Sequence, residues 1–237
     1  MKIDLYSICY NEELILPYFI KHYSTFVSNI TIYDNYSTDN SNNILKESNC
    51  NVIKYDSNNQ IRDDIYLNIK NNCWKDSKAD FVIVCDTDEF LYCDLKTLQY
   101  CKDNKFTLIS PFGYNMISHS LPKTSNQIYE EIQYGVFDKN FSKCIIFDPK
   151  EIEDINYEPG CHTIKPRGNI KTYNMNDVKL LHYKFLSLDY VINKNKIYNS
   201  RLSDINKQHN WGLHYQYTIE KITEEYNEIY KNKIKII

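Results

Sequence analysis

Short apolar runs alternate with amphipathic helical segments in the first part of the chain. Runs typical of buried strands cover residues 3–10, 29–34, 52–55 and 81–85. Segments with apolar residues at helical spacing lie between them, at residues 17–26, 41–45 and 63–74. Because strand and helix alternate with crossovers of fitting length, the pattern predicts an α/β fold with a doubly wound, mostly parallel sheet over residues 1–105.

The fourth of these strands ends abruptly in carboxylates. Its apolar run is followed by Asp86, Thr87, Asp88 and Glu89. Because side chains alternate along an extended chain, Asp86 and Asp88 point to the same side and can face one cation and the anion it bridges. Open α/β sheets bind ligands at this edge, so the pattern indicates a site for a divalent metal and a nucleotide diphosphate. Taken alone, the triplet also fits a solvated acidic loop after a core strand.

The second half of the chain is less regular. Apolar runs at 106–117, 143–147 and 178–185 predict further strands, and the polar region at 118–139 predicts a loop over the site. Helical spacing returns at 188–202 and 219–230. Because there is no internal repeat and no Gly- or Pro-rich linker, we expect one domain over residues 1–237, with an irregular second half that ends in helices.

Composition and charge narrow the function. A net charge of −3, from Lys+Arg 28 against Asp+Glu 31, gives no electrostatic case for nucleic acid as the main partner. The cysteines form no C-x-x-C pair, which favours buried thiols in a reducing compartment over a disulfide framework. A strand starts directly after Met1, leaving no room for a signal peptide, and no apolar run approaches the ~20 residues of a spanning helix. We therefore expect a soluble, cytoplasmic protein. Its basic, apolar tail KNKIKII could touch an anionic membrane surface or pack on the domain as a helix end.

Polar clusters follow three of the predicted strands. They lie at residues 10–13 (YNEE), 34–39 (DNYSTD) and 86–89 (DTDE). Because the carboxyl ends of parallel strands meet at one crevice of a doubly wound sheet, we expect the three clusters to converge there.

At these clusters the sequence resembles the family 2 glycosyltransferases of the GT-A fold, and in particular the branch related to the family 92 type. The matching motifs are YNEE at 10–13, IKHY at 20–23, IYDNYSTDNS at 32–41, DTDEF at 86–90 and HYKFLSLDYVINK at 182–194. The resemblance implies a Rossmann-like GT-A domain with a nucleotide-sugar-binding half at 1–105 and an acceptor-binding half at 106–237. It implies transfer of a sugar, with inversion, from a UDP-sugar to a glycan or other hydroxyl acceptor, assisted by Mn²⁺ or Mg²⁺.

The resemblance also implies residue roles on the nucleotide side. Asp34 would accept the N–H of a uracil ring, Tyr10 would flank the base with Asn11 in the same donor-binding cluster, Glu12 would contact the ribose or base, and Arg62 would reach the phosphates. Each has a structural alternative. Asp34 could cap its own turn, Glu12 could serve the first turn of a helix, and Arg62 could pair with a neighbouring aspartate.

The metal side of the implied site uses the carboxylate triplet and a late histidine. Asp86, with Thr87 beside it, would hold the ribose or a metal-bound water, and Asp88 would bind the metal. Hard oxygen ligands suit Mg²⁺ or Mn²⁺, and such an ion neutralises a departing nucleoside diphosphate. His182 ends an apolar run, as the triplet does, and would complete the metal shell; the alternative is a purely structural histidine. His22, among helix residues, is a core or interface histidine.

Inversion requires a base that takes the proton of the acceptor hydroxyl. The paired-carboxylate signature that relatives carry after the first motif is absent from this chain. Glu158 and His162 are therefore the candidates, because a Pro-Gly turn between them could bring His162 to the acceptor side. Asp138 and Asp154 remain open.

Two other classes of function compete with the transferase. A metal-dependent phosphohydrolase or nucleotidyltransferase also gathers aspartates at strand ends, and it would release free phosphate without a glycosidic product. A non-catalytic glycan-binding module on the same fold would bind the donor without turnover, which the missing base signature makes plausible.

Overall fold

A computed structural model describes residues 1–124 and 126–237. In the first half, the elements are β1 (Ile3–Cys9), α1 (Leu16–Tyr23), β2 (Asn29–Asp34), α2 (Ser41–Glu47), β3 (Asn51–Lys54), α3 (Asp63–Asn72), β4 (Phe81–Asp86), β5 (Glu89–Tyr92) and α4 (Leu95–Asp103). The four predicted strands and the helices between them are all present, because apolar periodicity and turn residues specify them locally. Pro17 occupies the first turn of α1, where its missing N–H costs nothing.

The second half contains shorter strands and the C-terminal helices. Its elements are β6 (Leu108–Ile109), β7 (Phe112–Ile117), α5 (Ile128–Glu131), β8 (Tyr134–Phe137), β9 (Ile146–Phe147), β10 (Ile152–Asp154), β11 (Arg167–Gly168), β12 (Thr172–Tyr173), β13 (Lys179–Phe185), α6 (Leu188–Arg201), α7 (Asp204–Gln208), α8 (Ile219–Asn232) and β14 (Ile234–Lys235). Short 3-10 turns cover Lys139–Phe141, Pro159–Cys161 and Leu213–Gln216.

A large sheet carries the predicted parallel core. Its strand order is β12-β6-β9-β4-β1-β2-β3, in which β4, β1, β2 and β3 run parallel and β9 is antiparallel to its neighbours. The register places Cys9 opposite Asp34 and Ile8 opposite Asp86, so the carboxyl ends of these strands share one edge. The prediction of an α/β fold with a mostly parallel sheet is confirmed.

A second sheet, in the order β14-β8-β7-β13-β5, brings the late histidine to this edge. The chain passes from β4 in the first sheet to β5 in the second through Thr87 and Asp88. Strand β13 pairs antiparallel with β5, with His182 opposite Glu89, and parallel with β7, with His182 opposite Asn115. The acidic triplet therefore lies at the junction of the two sheets, beside His182.

Three predictions for the second half are wrong in detail. The run at 106–117 forms two strands in different sheets, because Pro111 has no N–H for the ladder. The region 118–139 is not a single loop: apart from residue 125, which lies outside the described residues, it contains α5 and β8, anchored by the buried side chain of Ile128. The tail is a helix end only in its first residues, because α8 ends at Asn232 and Ile234–Lys235 form β14, which pairs with β8.

Apolar burial joins the two sheets into one core. The largest cluster includes Leu5 and Ile32 of the first sheet together with Phe90 and Leu180 of the second, all nearly inaccessible to solvent. The cysteines of the chain are free thiols, and each is buried or half-buried, as the sequence predicts. Over residues 1–124 and 126–237, no helix has the length and apolar character needed to cross a membrane.

Candidate active site

A cleft lies at the shared edge of the two sheets. Its floor is formed by Asp86, Thr87 and Asp88 after β4, and its walls come from α3, β13, α6 and the turn before His162. Both halves of the chain therefore contribute to it. Tyr10 and Glu12 line the part of the cleft that α6 borders, which we call the α6 end, and His162 belongs to the lining as well.

Asp88 and His182 face each other across the junction of the sheets. The Nε2 of His182 lies 3.6 Å from the Oδ2 of Asp88. On the other side of the ring, Nδ1 is 2.8 Å from the Oδ1 of Asn115, whose Nδ2 donates to Asp138 at 2.9 Å. Because an amide oxygen only accepts, Nδ1 carries the hydrogen, and in the neutral ring the Nε2 lone pair faces Asp88.

The charge of Asp88 is strongly stabilised. Burial alone would raise the pKa of Asp88, but the charge of the Lys194 ammonium, 3.6 Å away, holds that pKa well below its ordinary value. The carboxylate therefore remains ionised throughout the physiological pH range. An ionised carboxylate beside an oriented imidazole is a suitable pair of donors for Mn²⁺ or Mg²⁺.

Asp86 has a different environment from Asp88. The Nζ of Lys70 lies 2.6 Å from its Oδ1, and the Nζ of Lys143 lies 3.6 Å from its Oδ2. Lys143 also pairs with Glu89 at 2.6 Å, and Glu89 accepts the Asp86 backbone N–H at 2.9 Å. Burial raises and the two lysines lower the pKa of Asp86, with a net decrease. Asp86 is thus part of an ion-pair network, in which two lysines supply the positive charge.

Helix α6 contributes three side chains at helical spacing to the α6 end of the cleft: Lys194, Tyr198 and Arg201. Lys194 pairs with Glu12 at 3.0 Å, and the Tyr198 hydroxyl donates to Glu12 at 3.2 Å. Burial raises the pKa of Glu12 to about 7, although Lys194 opposes this. The Arg201 guanidinium lies 3.1 Å above the ring centroid of Tyr10. The C-terminal half therefore holds both Tyr10 and Glu12 in place.

Three of the residues predicted to bind the nucleotide-sugar do not line the cleft. Asp34 is fully buried and accepts the hydroxyl of Ser37 at 2.6 Å, in addition to an ion pair with Lys54. Asn11 accepts the backbone N–H of Thr38 at 2.7 Å, which joins the loops after β1 and β2. Arg62 makes a two-point contact with Asp64 at 2.8 and 2.6 Å. The structure thus shows the turn-capping and ion-pair alternatives for Asp34 and Arg62.

Of the candidate bases, His162 lines the cleft. Its Nδ1 lies 2.6 Å from the carbonyl of Asn140, so this nitrogen carries the hydrogen and Nε2 has the free lone pair. Burial, and next the charge of Lys143, lowers the pKa of His162. Its neutral, basic form therefore predominates at pH 7.

The other three candidates are engaged elsewhere. Glu158 pairs with Lys165 and accepts a hydrogen bond from Thr163. Asp138 binds Asn115, and Asp154 pairs with Lys75 and Arg167. None of the three belongs to the described lining of the cleft.

Sequence reasoning missed the basic residues of the cleft. Lys70 and Lys143 pair with carboxylates that are distant in sequence, and nothing in their local sequence distinguishes them from surface lysines. Lys184 and Lys194 lie within the segment at 182–194 that carries part of the sequence resemblance, and that segment was the available signal. Sequence reasoning used only His182 from that motif.

A divalent ion fits Asp88 and His182 better than the full predicted set. Within residues 1–124 and 126–237, no group of three or more His, Cys, Asp or Glu side chains is arranged to hold a metal ion. Asp86 faces two ammonium groups, which disfavours its use as a direct ligand. Asp88 and His182 would supply two donors, which leaves the remaining positions for diphosphate oxygens and water.

In comparisons with known proteins, the chain is similar in part to several solved structures. No protein-family model matches the chain, and no curated protein matches it. The solved structure of S. aureus TarS 1–349 is 11% identical, with a TM-score of 0.49 over 85% of this chain and 65% of that one. For S. aureus TarS the values are 13% identity and a TM-score of 0.49, over 95% of this chain and 43% of that one.

Glucosyl-3-phosphoglycerate synthase from Mycobacterium tuberculosis, crystallised with Mn²⁺, UDP and glucosyl-3-phosphoglycerate, is 14% identical, with a TM-score of 0.34 over 47% of this chain and 44% of that one. The chain therefore spans less than two thirds of the length of each of these structures.

Proposed function

We propose that this chain is a GT-A glycosyltransferase that moves a sugar from a UDP-sugar to a hydroxyl acceptor with inversion, assisted by Mn²⁺ or Mg²⁺. The observation that supports this most is the pairing of Asp88 with the oriented Nε2 of His182 at 3.6 Å, at the carboxyl edge of the parallel strands. Oxygen and imidazole donors at this edge suit a divalent ion that bridges a diphosphate.

The residues of the cleft suit a leaving group that gains negative charge. A divalent ion bound by Asp88 and His182 would neutralise part of that charge. Lys70, Lys143 and Lys194 provide fixed ammonium groups around the same floor, each buried or half-buried. Because they are already held by ion pairs, they stabilise developing charge without large reorganisation.

The nucleoside would lie at the end of the cleft where Tyr10 and Glu12 are held by α6. Tyr10 offers an aromatic surface fixed by Arg201, and Glu12 offers an acceptor for ribose or base. In this proposal Asp34 and Asn11 shape the loops around the base rather than contacting it, and Arg62 stays paired with Asp64. The preference for uridine comes from the resemblance of the sequence motifs.

His162 is the base in this proposal. It lines the cleft, its Nε2 is free to accept a proton, and its pKa lies below the ordinary value, so it is neutral at pH 7. Glu158, the other predicted candidate, is engaged by Lys165 and Thr163. The same proposal includes the finer likeness to the family 92 branch, a single domain over residues 1–237 and a cytoplasmic location.

A donor screen tests this function. Purified protein is incubated with nucleotide-sugars and Mn²⁺, and both UDP release and glycosidic product are measured with a panel of hydroxyl acceptors. We expect UDP release that requires the divalent ion and is lost in Asp88→Asn, while Asp76→Asn, at an exposed position, retains it. Release of inorganic phosphate without glycosidic product would instead identify a phosphohydrolase, and donor binding without turnover would identify a binding module.

A further inference from the structure

One lysine of the cleft is shared between two carboxylates. The Nζ of Lys194 is 3.0 Å from both Oε1 and Oε2 of Glu12, and it is 3.6 Å from the Oδ2 of Asp88. The same ammonium group donates to the Tyr190 hydroxyl at 3.2 Å. Only 15%, 8% and 16% of the side chains of Lys194, Glu12 and Asp88 are exposed. Little water is therefore present to screen the attraction between the three charges.

The ammonium group contacts the oxygen of Asp88 that faces the imidazole of His182. The Oδ2 of Asp88 is 3.6 Å from the Nε2 of His182 and 3.6 Å from the Nζ of Lys194. A carboxylate oxygen and an imidazole nitrogen with a free lone pair are both acceptors, so they gain from their approach only when a positive charge lies near them. In the metal-free structure, Lys194 supplies that positive charge to Asp88.

Glu12 gives Lys194 a second carboxylate partner. If the contact with Asp88 is lost, the ammonium group still has both carboxylate oxygens of Glu12 at 3.0 Å. For Lys70, by contrast, Asp86 is the one carboxylate among the described residues within the 4.0 Å that defines an ion pair. Separating a buried pair is costly when one partner is left alone. Lys70 is therefore committed to Asp86, whereas Lys194 can give up Asp88 and remain paired.

We propose that Lys194 is the counter-ion of Asp88 in the metal-free protein, and that a divalent ion takes its place at this carboxylate while Glu12 keeps the ammonium group in the cleft. This inference rests on the proposed function, since that function brings a divalent ion to Asp88. Lys194 is thus a positioning residue that lowers the affinity of the empty site for the ion.

The charges of this cluster also explain why the ion and the diphosphate would bind together. Two carboxylates and one ammonium group leave a net negative charge on Glu12, Asp88 and Lys194. A divalent ion turns that charge into a net positive one, which a diphosphate then offsets. Because Glu12 retains Lys194, the ammonium group stays beside the floor of the cleft and contributes to that attraction.

The affinity for Mn²⁺ without nucleotide tests this exchange, because it does not depend on donor binding or transfer. Electron paramagnetic resonance of free Mn²⁺ during titration measures it. Lys194→Met should bind Mn²⁺ about tenfold more tightly than the wild type, since the competing charge is gone. Glu12→Gln should bind it about tenfold more weakly, because Lys194 then has only Asp88 as a carboxylate partner. General damage to the cleft would weaken Mn²⁺ binding in both variants, so opposite shifts identify the exchange.

Two other lysines serve as controls for charge alone. Lys184→Met removes an ammonium group of the same cleft, which lies over the Phe185 ring at 5.2 Å, and Lys196→Met removes an exposed lysine of α6. Both should change the Mn²⁺ affinity clearly less than Lys194→Met does. If urea denaturation shows that Lys194→Met does not fold, because Glu12 is left buried without its partner, the double variant Lys194→Met/Glu12→Gln replaces it. That variant should also bind Mn²⁺ more tightly than the wild type.

Several outcomes would overturn the counter-ion role of Lys194. They are unchanged or weaker Mn²⁺ binding after its removal, an equal gain in Lys184→Met, tighter binding in Glu12→Gln, and no Mn²⁺ binding by any of the proteins. Opposite shifts in a protein that neither binds UDP nor transfers a sugar would overturn the proposed function and leave the role of Lys194 standing.

Discussion

The Nε2 of His182 lies 3.6 Å from the Oδ2 of Asp88, although the two residues are far apart in sequence. Strand pairing explains the approach, because β13 is antiparallel to β5 and β5 follows directly after Asp88. Asn115, opposite His182 on β7, fixes the other ring nitrogen at 2.8 Å. The second sheet thus acts as the frame that orients the imidazole toward the carboxylate of the first.

The first prediction concerns the affinity for Mn²⁺ in the presence of UDP. Asp88→Asn and His182→Ala should abolish measurable Mn²⁺ binding at the site, because each removes one of two protein donors. Asn115→Ala should weaken it by about 10- to 100-fold, since residues that orient a ligand typically contribute that much. Electron paramagnetic resonance of free Mn²⁺ during titration measures all three. Asp76→Asn is the control, and an Asn115→Ala protein with unchanged Mn²⁺ affinity would contradict the orienting role.

The second prediction concerns the buried ion pair of Lys143 with Glu89. The side chains are 5% and 1% exposed, and the charged atoms are 2.6 Å apart. Lys143→Met leaves the Glu89 carboxylate buried without its main partner, so the free energy of unfolding should fall by about 3–5 kcal/mol. The double variant Lys143→Met/Glu89→Gln should recover about half of this loss or more, because the uncompensated charge is gone. Urea denaturation at pH 7 measures the free energy of unfolding of the single and double variants. If the losses in the single variants simply add up in the double variant, the two residues are not coupled.

The third prediction concerns the acid sensitivity of the fold through His22. Its Nε2 contacts the Leu91 carbonyl at 2.9 Å, and its buried Nδ1 has no partner among the described residues. Burial lowers the pKa of His22 to about 4, so the folded protein binds fewer protons than the unfolded chain between the ordinary value of 6.5 and that value. The contribution of the neutral His22 ring to stability is therefore present above pH 6.5 and is lost as the pH falls toward 4. This lowers the free energy of unfolding by about 2 kcal/mol between pH 7 and pH 5.

His22→Gln provides the matched test of that acid sensitivity. The Gln amide can still donate to Leu91 but does not titrate, so this contribution to the pH dependence should disappear. His209→Gln, at an exposed position, should keep it. Urea denaturation at pH 7 and pH 5 gives the free energies, and an equal fall in both variants would argue against the buried neutral ring.

The fourth prediction separates the two candidate bases. His162→Ala should lower kcat for sugar transfer by about 10²–10⁴-fold, as for loss of a general base, with the KM for the donor nearly unchanged. Glu158→Gln should leave kcat within about twofold, because Glu158 is paired with Lys165 outside the cleft lining. Since the pKa of His162 is lowered from its ordinary value of 6.5, the pH at which transfer falls to half of its maximum on the acid side should lie below 6.5. If Glu158→Gln lowered kcat more than His162→Ala does, Glu158 rather than His162 would be the base.

The central part of the fold follows from local sequence patterns. The strand Phe81–Asp86 is specified by an unbroken apolar run, and the turn-forming residues after β2 gave the alternative role for Asp34 that the structure shows. His182 was identified because it ends an apolar run, as the acidic triplet does. In each case the information lies within a few neighbouring positions.

The basic residues of the cleft could not be predicted in the same way. Lys143 begins an apolar segment and Lys70 lies in the last turn of a helix, and their carboxylate partners are set only by tertiary packing. Pairings within the second sheet, such as β13 with β5, depend on the register between segments that are distant in sequence. One sequence does not contain that register in any local pattern, so the second sheet and the lysine network required the structure.

The last prediction concerns the contact of Arg201 with Tyr10, which joins α6 to the loops of the first sheet. The guanidinium lies 3.1 Å above the ring centroid, and its Nη2 donates to the Asn35 side chain at 2.7 Å, while Nε donates to Asn59 at 3.1 Å. Arg201→Gln should lower the free energy of unfolding by about 2 kcal/mol and weaken UDP binding, because Tyr10 loses its support. Arg201→Lys should rescue little, since an ammonium cannot stack as a plane while donating in two directions. Urea denaturation and UDP titration measure both effects, with Lys196→Met as the control. Full rescue by lysine would mean that charge alone matters, and the planar contact would have no role.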